Sequence, residues 1–531
     1  MRRAIAQGPG RMTLRQHVIR VALLMVAVAG LIAWLHQHTE STFADGLRYI
    51  HQAERLDHGE WTRGLVGSID HPMHALAIFA AHRVVGGEGP VAWQHAAQTA
   101  ALLALVLTVI PLYLVGLELY DANAAWVGCA LYFANPMTGY IAVNVLSETT
   151  FLFFWTWGLW AAIRFLREGR TVWLAPTVVF AALAYGTRPE GMLLPIALTV
   201  VLLASPSYWA TRLSWPRWWA AVAIVIVGPL ALAGPYMLAK GRIDTKPAVG
   251  RVLGLAPHSP PLALERDRPL PSDQTTAETY MLAFKRVNKV MRNSVTAVLI
   301  PFAILGILLS WSSAPQARAW LFQGIMLALS VVALIRLHAT GGYCTVRHAI
   351  VPGMILILAG AHGLSVVLKS AIVDGRLLGR PREFYRLGPA FWALALVILI
   401  APGHLGAMGS SPGSFTTYHT AGRWIATQTA PRDRVLDMTD WSLYFSGRDG
   451  YILGDVDAAT ADPKTRWIIV RDIHLERRSI YTTLLKHLIN GRKPVAAFPG
   501  KARPNQVRIL VFDRDSPSLQ NASASTDSAR R

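Results

Sequence analysis

The sequence predicts an α-helical polytopic membrane protein of about eleven transmembrane helices with a small extracytoplasmic α/β domain at its C-terminal end. Three observations predict it. The 531 residues are 53% hydrophobic and only 15% charged, whereas a soluble chain carries about 25% charge. The apolar residues come in long blocks, many close to the ~20 residues that cross a bilayer as a helix. Beyond residue 404 the pattern changes to short β-rich runs between helical segments.

The elements follow in chain order. Arg2, Arg3, Arg11, Arg15 and Arg20 precede an apolar run from Val21 to Leu35. No small-residue cleavage site follows, so the run reads as an uncleaved signal anchor with a cytoplasmic N-terminus. Spans are expected near 17–36, 93–117, 123–138, 146–165, 172–186, 190–206, 217–239, 294–311, 318–336, 349–367 and 388–404. The apolar stretch Pro72–Val85 is short and holds His74, His82 and Arg83, which suits an interfacial helix.

This topology puts Arg164, Arg167, Arg170, Arg212, Arg217, Arg318, Lys369, Arg376, Arg380, Arg382 and Arg386 in inner loops. The short outer loop from Thr138 to Leu146 has no Lys or Arg, so the positive-inside rule is met. Residues 37–92, residues 240–293 and everything after about 404 then lie outside, in a plasma (inner) membrane. The expected division is 1–404 for the membrane domain, 405–515 for the α/β domain and 516–531 for a disordered tail.

The α/β assignment rests on runs at Arg434–Met438, Trp467–Val470 and Val507–Phe512, alternating with helical patterns such as Ser479 to Leu488. Asn521-Ala522-Ser523 fits a glycosylation sequon, a match common by chance. No internal repeat of the kind found in duplicated transporters stands out. The net charge of +20 is spread over short loops, with no compact basic domain for nucleic acid. Cys129 and Cys344 are the only cysteines and give neither a disulfide framework nor metal-ligand spacing.

Candidate chemistry gathers on the outer side. Asp45, Arg48 and Tyr49 share a helical face by their three- and four-residue spacing; as a structural alternative, Asp45 is a helix cap. Asp70-His71-Pro72 opens the interfacial helix, where Asp70 is either a cap or a second carboxylate facing Asp45. His71 would contact acceptor or metal, although one carboxylate and one His make no ligand constellation. Glu148, in Ser147-Glu148, stands at the outer end of an apolar span, as a solvated helix start or a site carboxylate. Arg188, in Thr187-Arg188-Pro189-Glu190-Gly191, and Arg347-His348 break the positive-inside trend. An arginine there can bind phosphate in a charge-assisted pair; the alternatives are Glu190 or lipid headgroups.

Taken together, acidic–x–x–Arg–Tyr, Gly59-x-Trp61 and acidic–x–Pro, with Ser147-Glu148, the Thr187–Gly191 hairpin and Arg347-His348-x-x-x-Pro352, resemble type C glycosyltransferases of family 39. These include protein O-mannosyltransferases and the aminoarabinose transferase that modifies lipid A. The resemblance covers about residues 15–370 and departs at Asp45-Gly46, where many relatives have Asp-Glu, and at Pro72-Met73, where a double Pro is frequent.

The resemblance implies an inverting enzyme that moves a sugar from a polyprenyl phosphate to a glycan, lipid or protein acceptor. Asp45 would be the general base. Asp70 and Glu148 would shape the site, with a divalent cation as the candidate cofactor. Arg188 and Arg347 would receive the phosphate, with Arg48, Tyr49, His71 and His348 as further substrate contacts. Such a reaction needs a base and a positive phosphate site but no nucleotide motif. Rival readings are a transporter or flippase of a lipid-linked or anionic solute, a non-catalytic scaffold, and an O-antigen-ligase-like transferase using His258, Arg266 or Arg268 in the 240–293 loop.

Overall fold

A computed structural model describes residues 12–39, 42, 44–68, 70–204, 213–241, 247–254, 275–295, 297–310, 314–341, 343–368, 414–430, 432–452, 456–476, 480–500 and 508–516. The expected span at 388–404, the distal tail and His258, Arg266 and Arg268 lie outside them.

The membrane part is a helical bundle. Its elements are α1 (Leu14–Gln37), α2 (Ala44–Asp57), α3 (Pro72–Val85), α4 (Gly89–Leu119), α5 (Ala122–Phe133), α6 (Pro136–Val143), α7 (Glu148–Glu168), α8 (Leu174–Tyr185), α9 (Leu193–Ala204) and α10 (Trp215–Lys240). A short helix, Pro247–Leu253, precedes α11 (Thr276–Val295), α12 (Leu299–Ser310), α13 (Ala314–Gly341) and α14 (Ile350–Leu368). Among the described residues five helices are long and apolar enough to cross a bilayer, or six if α11 and α12, bent by 85°, count as one. These are α1, α4, α10, and the segments Ala317–Thr340 and Val346–Leu368. The protein is thus integral to a membrane.

The single span expected at 123–138 is instead two helices. Asn135-Pro136 breaks it: the Asn135 side chain accepts from the Met137 N–H, and Pro136 occupies the first turn of α6. Asn135 also donates to the Ser294 carbonyl at 2.8 Å, fixing the break against the end of α11. The core of the bundle runs from α1 through α4, α7 and α9 to α14, with Trp155 fully buried at its centre.

A five-stranded sheet forms the α/β domain: β1 (Arg434–Asp437), β2 (Gly450–Ile452), β3 (Thr465–Arg471), β4 (Ala496–Phe498) and β5 (Ile509–Asp513), ordered β2-β1-β3-β5-β4. β1 pairs parallel with β2 and β3; β5 runs antiparallel to β3 and β4. Helices Trp441–Ser446 and Val456–Ala461 make the parallel crossovers. The runs read from sequence are β1, β3 and the described part of β5. Along β3 the period of two is explicit: Trp467 and Ile469 enter one core, Ile468 and Val470 another.

The first of those two cores is shared with the membrane part. Leu47 and Ile50 of α2, Ile78 of α3 and Trp93 of α4 pack in one cluster with Trp441 and Trp467. At 31 residues α4 is about 46 Å long, more than the ~30 Å hydrocarbon core, so its first turns reach out to meet the domain. Polar links complete the joint. Tyr444 donates to the Pro90 carbonyl at 3.0 Å. His51 of α2 lies 3.0 Å from Glu54 and 3.3 Å from Asp440, with its ring edge-on to Tyr444.

Burial works against a charged His51, yet Asp440 and Glu54 outweigh it and push its pKa up to about 10. A histidine raised on folding stabilises fully below its ordinary value and loses that contribution as pH climbs through the folded one. The wild-type protein should therefore lose thermal stability between pH about 6.5 and about 10, and His51→Gln should remove much of that slope. Parallel melting curves across this range, equal in slope, would contradict the link.

Candidate active site

Asp45 opens α2 and points into the bundle. Its first-turn place favours a carboxylate next to the helix N-terminus. Asp45 Oδ2 lies 2.6 Å from Arg347 Nη1, and Oδ1 lies 3.3 Å from Arg48 Nη1. Arg48 in turn donates from Nε to Asp70 Oδ2 at 2.9 Å, so one guanidinium joins both carboxylates. Burial raises the Asp45 carboxyl, but Arg48 and Arg347 overcome it and hold the group below the ordinary carboxylate range.

The capping alternatives do not describe this arrangement. The cap of α3 is His71, which makes no side-chain capping bond, while Asp70 is 1% exposed and turned to Arg48. Glu148 is no solvated helix start either. It is 1% exposed and its Oε1 lies 2.7 Å from Arg188 Nη1, whose Nη2 donates to Glu190 at 2.7 Å. The Glu190 alternative for Arg188 is thus half of what is found, and Arg347 meets Asp45.

Two glycines let these segments approach. A Cβ on Gly46 would sit 2.4 Å from the Asn144 carbonyl oxygen, so position 46 admits no side chain here. A Cβ on Gly191 would sit 2.3 Å from the Tyr185 nitrogen; only glycine closes the Thr187–Gly191 hairpin so tightly. Met73 donates its backbone N–H to the Gly186 carbonyl at 2.9 Å, tying the start of α3 to that hairpin.

Behind the carboxylates runs the loop Asn144–Ser147. Val145 has φ of 53°, a left-handed conformation that strains a β-branched residue. His74 holds it there: Nε2 lies 3.1 Å from the Val145 carbonyl and Nδ1 2.8 Å from the Thr150 hydroxyl. A carbonyl only accepts, so Nε2 carries the proton and Thr150 donates to Nδ1. Burial lowers the His74 pKa to about 4, which keeps this tautomer neutral. Tyr49 donates to Ser147 Oγ at 2.8 Å, linking α2 to the start of α7.

The remaining expected residues are spread around this cluster. His71 is buried between the rings of Tyr185 (5.0 Å) and Tyr236 (5.9 Å). His348 turns Nδ1 to Thr345, 2.9 Å from its hydroxyl. Sequence reasoning missed His74, Tyr236 and Lys240, whose Nζ donates to Tyr236 (2.9 Å) and to the Asp70 carbonyl (3.4 Å). The spacing His71-x-x-His74 was the available signal for His74. Lys240 and Tyr236 stand at the end of a span 170 residues from Asp70, and nothing local marks them.

Among the described residues no group of three or more His, Cys, Asp or Glu converges. Asp45, Asp70 and Glu148 each face a guanidinium, a donor set that does not fit a divalent cation.

A family model described as dolichyl-phosphate-mannose-protein mannosyltransferase matches residues 70–232, which include Asp70, Glu148 and Arg188. No curated protein matches the chain in sequence. Among solved structures it is similar to ArnT from Cupriavidus metallidurans bound to undecaprenyl phosphate, at 16% identity and a TM-score of 0.57, covering 93% of this chain and 98% of that one. The apo oligosaccharyltransferase of Archaeoglobus fulgidus matches at 13% identity and a TM-score of 0.51, covering 86% and 70%. At such identities what is shared is the fold, and this chain has that of the type C glycosyltransferases.

Removing one partner of a buried ion pair costs about 3–5 kcal/mol because the other charge is stranded. Arg188→Gln should therefore destabilise the protein strongly, and adding Glu148→Gln should recover much of the loss. Additive losses in thermal unfolding would show that the pair is not coupled.

Proposed function

We propose that this chain is an inverting glycosyltransferase that moves a sugar from a polyprenyl phosphate to an acceptor hydroxyl, or a comparable nucleophile, at the membrane face that carries the α/β domain. The distribution of inner-loop arginines supports an extracytoplasmic face, with the N-terminus in the cytoplasm. The observation that carries the reading is the row Asp70–Arg48–Asp45–Arg347 beside Arg188–Glu148, all at one end of an apolar bundle. A transporter would be expected to place such charges near the bilayer midplane.

In the reaction the acceptor oxygen attacks the anomeric carbon and forms the new glycosidic bond as the bond to the phosphate oxygen breaks. Asp45 takes the acceptor proton. The phosphate departs as a stable anion and needs positive charge rather than a general acid. Arg347 and Arg188 supply that charge, and Asp70 with Glu148 hold Arg48 and Arg188 in place. The fold's relatives include ArnT with undecaprenyl phosphate and an archaeal AglB structure with dolichol phosphate, in keeping with a lipid-linked donor. The sugar, hexosyl or pentosyl, and the acceptor, glycan, lipid or protein, stay open within this reading.

Arg347 serves two anions in turn. Without donor it holds the Asp45 carboxylate; a donor phosphate competes for the same guanidinium and leaves Asp45 less neutralised and more basic. The base is then released only when there is a sugar to transfer, and donor should bind before acceptor.

Transfer from labelled polyprenyl-phosphate sugars should be present in membranes with wild type and fall about 10²–10⁴-fold for Asp45→Asn at equal expression. Arg347→Met should raise the donor KM. Undiminished transfer by Asp45→Asn would remove it as the base.

A further inference from the structure

We propose that Trp441 of the α/β domain is a positioning residue for the transfer reaction: its indole N–H sets the end of α2 that presents Asp45. The inference rests on the reading of Asp45 as base given above. It concerns a residue 399 positions from its partner, in a domain with no side chain among the site groups just described.

The contact is direct. Trp441 Nε1 donates to the Thr42 carbonyl at 2.6 Å, one turn ahead of Gly46 and three residues before Asp45. Both ends of this bond are buried, Trp441 at 7% and Thr42 at 0% exposure, so no water competes for it. An unmade bond here would leave a buried carbonyl unsatisfied.

The indole is itself held rigidly. Its ring stacks on Tyr418 at 4.8 Å. The turn before it is pinned by the wholly buried Asp437, whose carboxylate accepts from the Thr439 N–H (2.8 Å), the Thr439 hydroxyl (2.8 Å) and the Leu443 N–H (2.9 Å). Asp440, at φ of 72°, takes a left-handed conformation that only such a framework maintains. A carboxylate with three hydrogen bonds and a strained turn are a costly way to present one tryptophan. They make sense as a fixed strut.

What the strut meets is narrow. On the bundle side α2 is located by Gly46 against the Asn144 carbonyl, Tyr49 on Ser147 and Asp45 on Arg347. On the domain side Trp441 holds Thr42, two residues ahead of α2. Loss of the N–H lets the first turn relax towards solvent while the apolar packing of Leu47 and Ile50 keeps the rest of α2 in place. Asp45 then drifts from Arg347, and a misplacement near 1 Å can cost a reaction about a hundredfold.

Trp441→Phe in the full chain tests this, because it removes the donor and keeps a ring against Tyr418. Amide hydrogen exchange in residues 44–50 should quicken, kcat should fall about ten- to hundredfold, and the donor KM should not rise, since Asp45 drawn away from Arg347 leaves that guanidinium to the donor phosphate. The acid limb of the rate profile should move up. Asp45, faced by Arg48, Arg347, Asp70 and Tyr140, would lose part of the positive field that keeps it ionised. Tyr444→Phe, which removes another bond of the same interface, should leave kcat unchanged.

Unchanged exchange and kcat in Trp441→Phe would overturn the proposal, as would a fall in kcat matched by loss of folded protein. If wild type transferred no sugar from any polyprenyl phosphate, the reading of the site would fail. Exchange at 44–50 alone would then decide whether Trp441 positions α2.

Discussion

Everything at the end of the bundle that meets the α/β domain depends on the pair between Asp45 and Arg347. It joins the second helix to the last described helix of the bundle across 302 residues of chain, and it closes a row in which carboxylate and guanidinium alternate. A charge buried alone would cost several kcal/mol. Alternation makes each group the counter-ion of the next, and within it Arg48 and Arg347 hold the Asp45 carboxyl below its ordinary range despite burial. The same economy constrains the chemistry, because any anion that enters must displace a carboxylate from an arginine. A phosphate does so with more charge and more acceptor oxygens than a carboxylate brings.

The α/β domain belongs to this arrangement. Its hydrophobic core is continuous with α2, α3 and the projecting end of α4, so the helix that bears Asp45 is gripped between two bodies. A short amphipathic helix of 14 residues is marginal by itself; here its apolar face is buried against the domain and its polar face supplies the site. Two of the three non-glycine residues with positive φ among the described residues, Val145 and Asp440, lie on loops that touch α2 or its neighbours. Each strained loop is over-determined by hydrogen bonds, His74 for one and Asp437 for the other.

Much of this was legible in the sequence. Long apolar blocks announced the bundle, and short β-rich runs between helical patterns announced β1, β3 and β5. Asp45, Arg48, Asp70, Glu148, Arg188 and Arg347 stood out because charge at the ends of apolar spans is costly and falls where orientation rules do not expect it; they converge in space. What stayed hidden is long-range. No local pattern says that Trp441 reaches Thr42, that Lys240 reaches Asp70, or that Gly46 faces a carbonyl. The break at Asn135-Pro136 was visible as a dipeptide but was outweighed by continuous hydropathy.

The most direct measurement is equilibrium binding of undecaprenyl phosphate, without sugar, to wild type and to Asp45→Asn. If Arg347 is shared between the base and the leaving group, the variant frees it and should bind the lipid phosphate more tightly. Binding that is equal or weaker in Asp45→Asn would contradict that account.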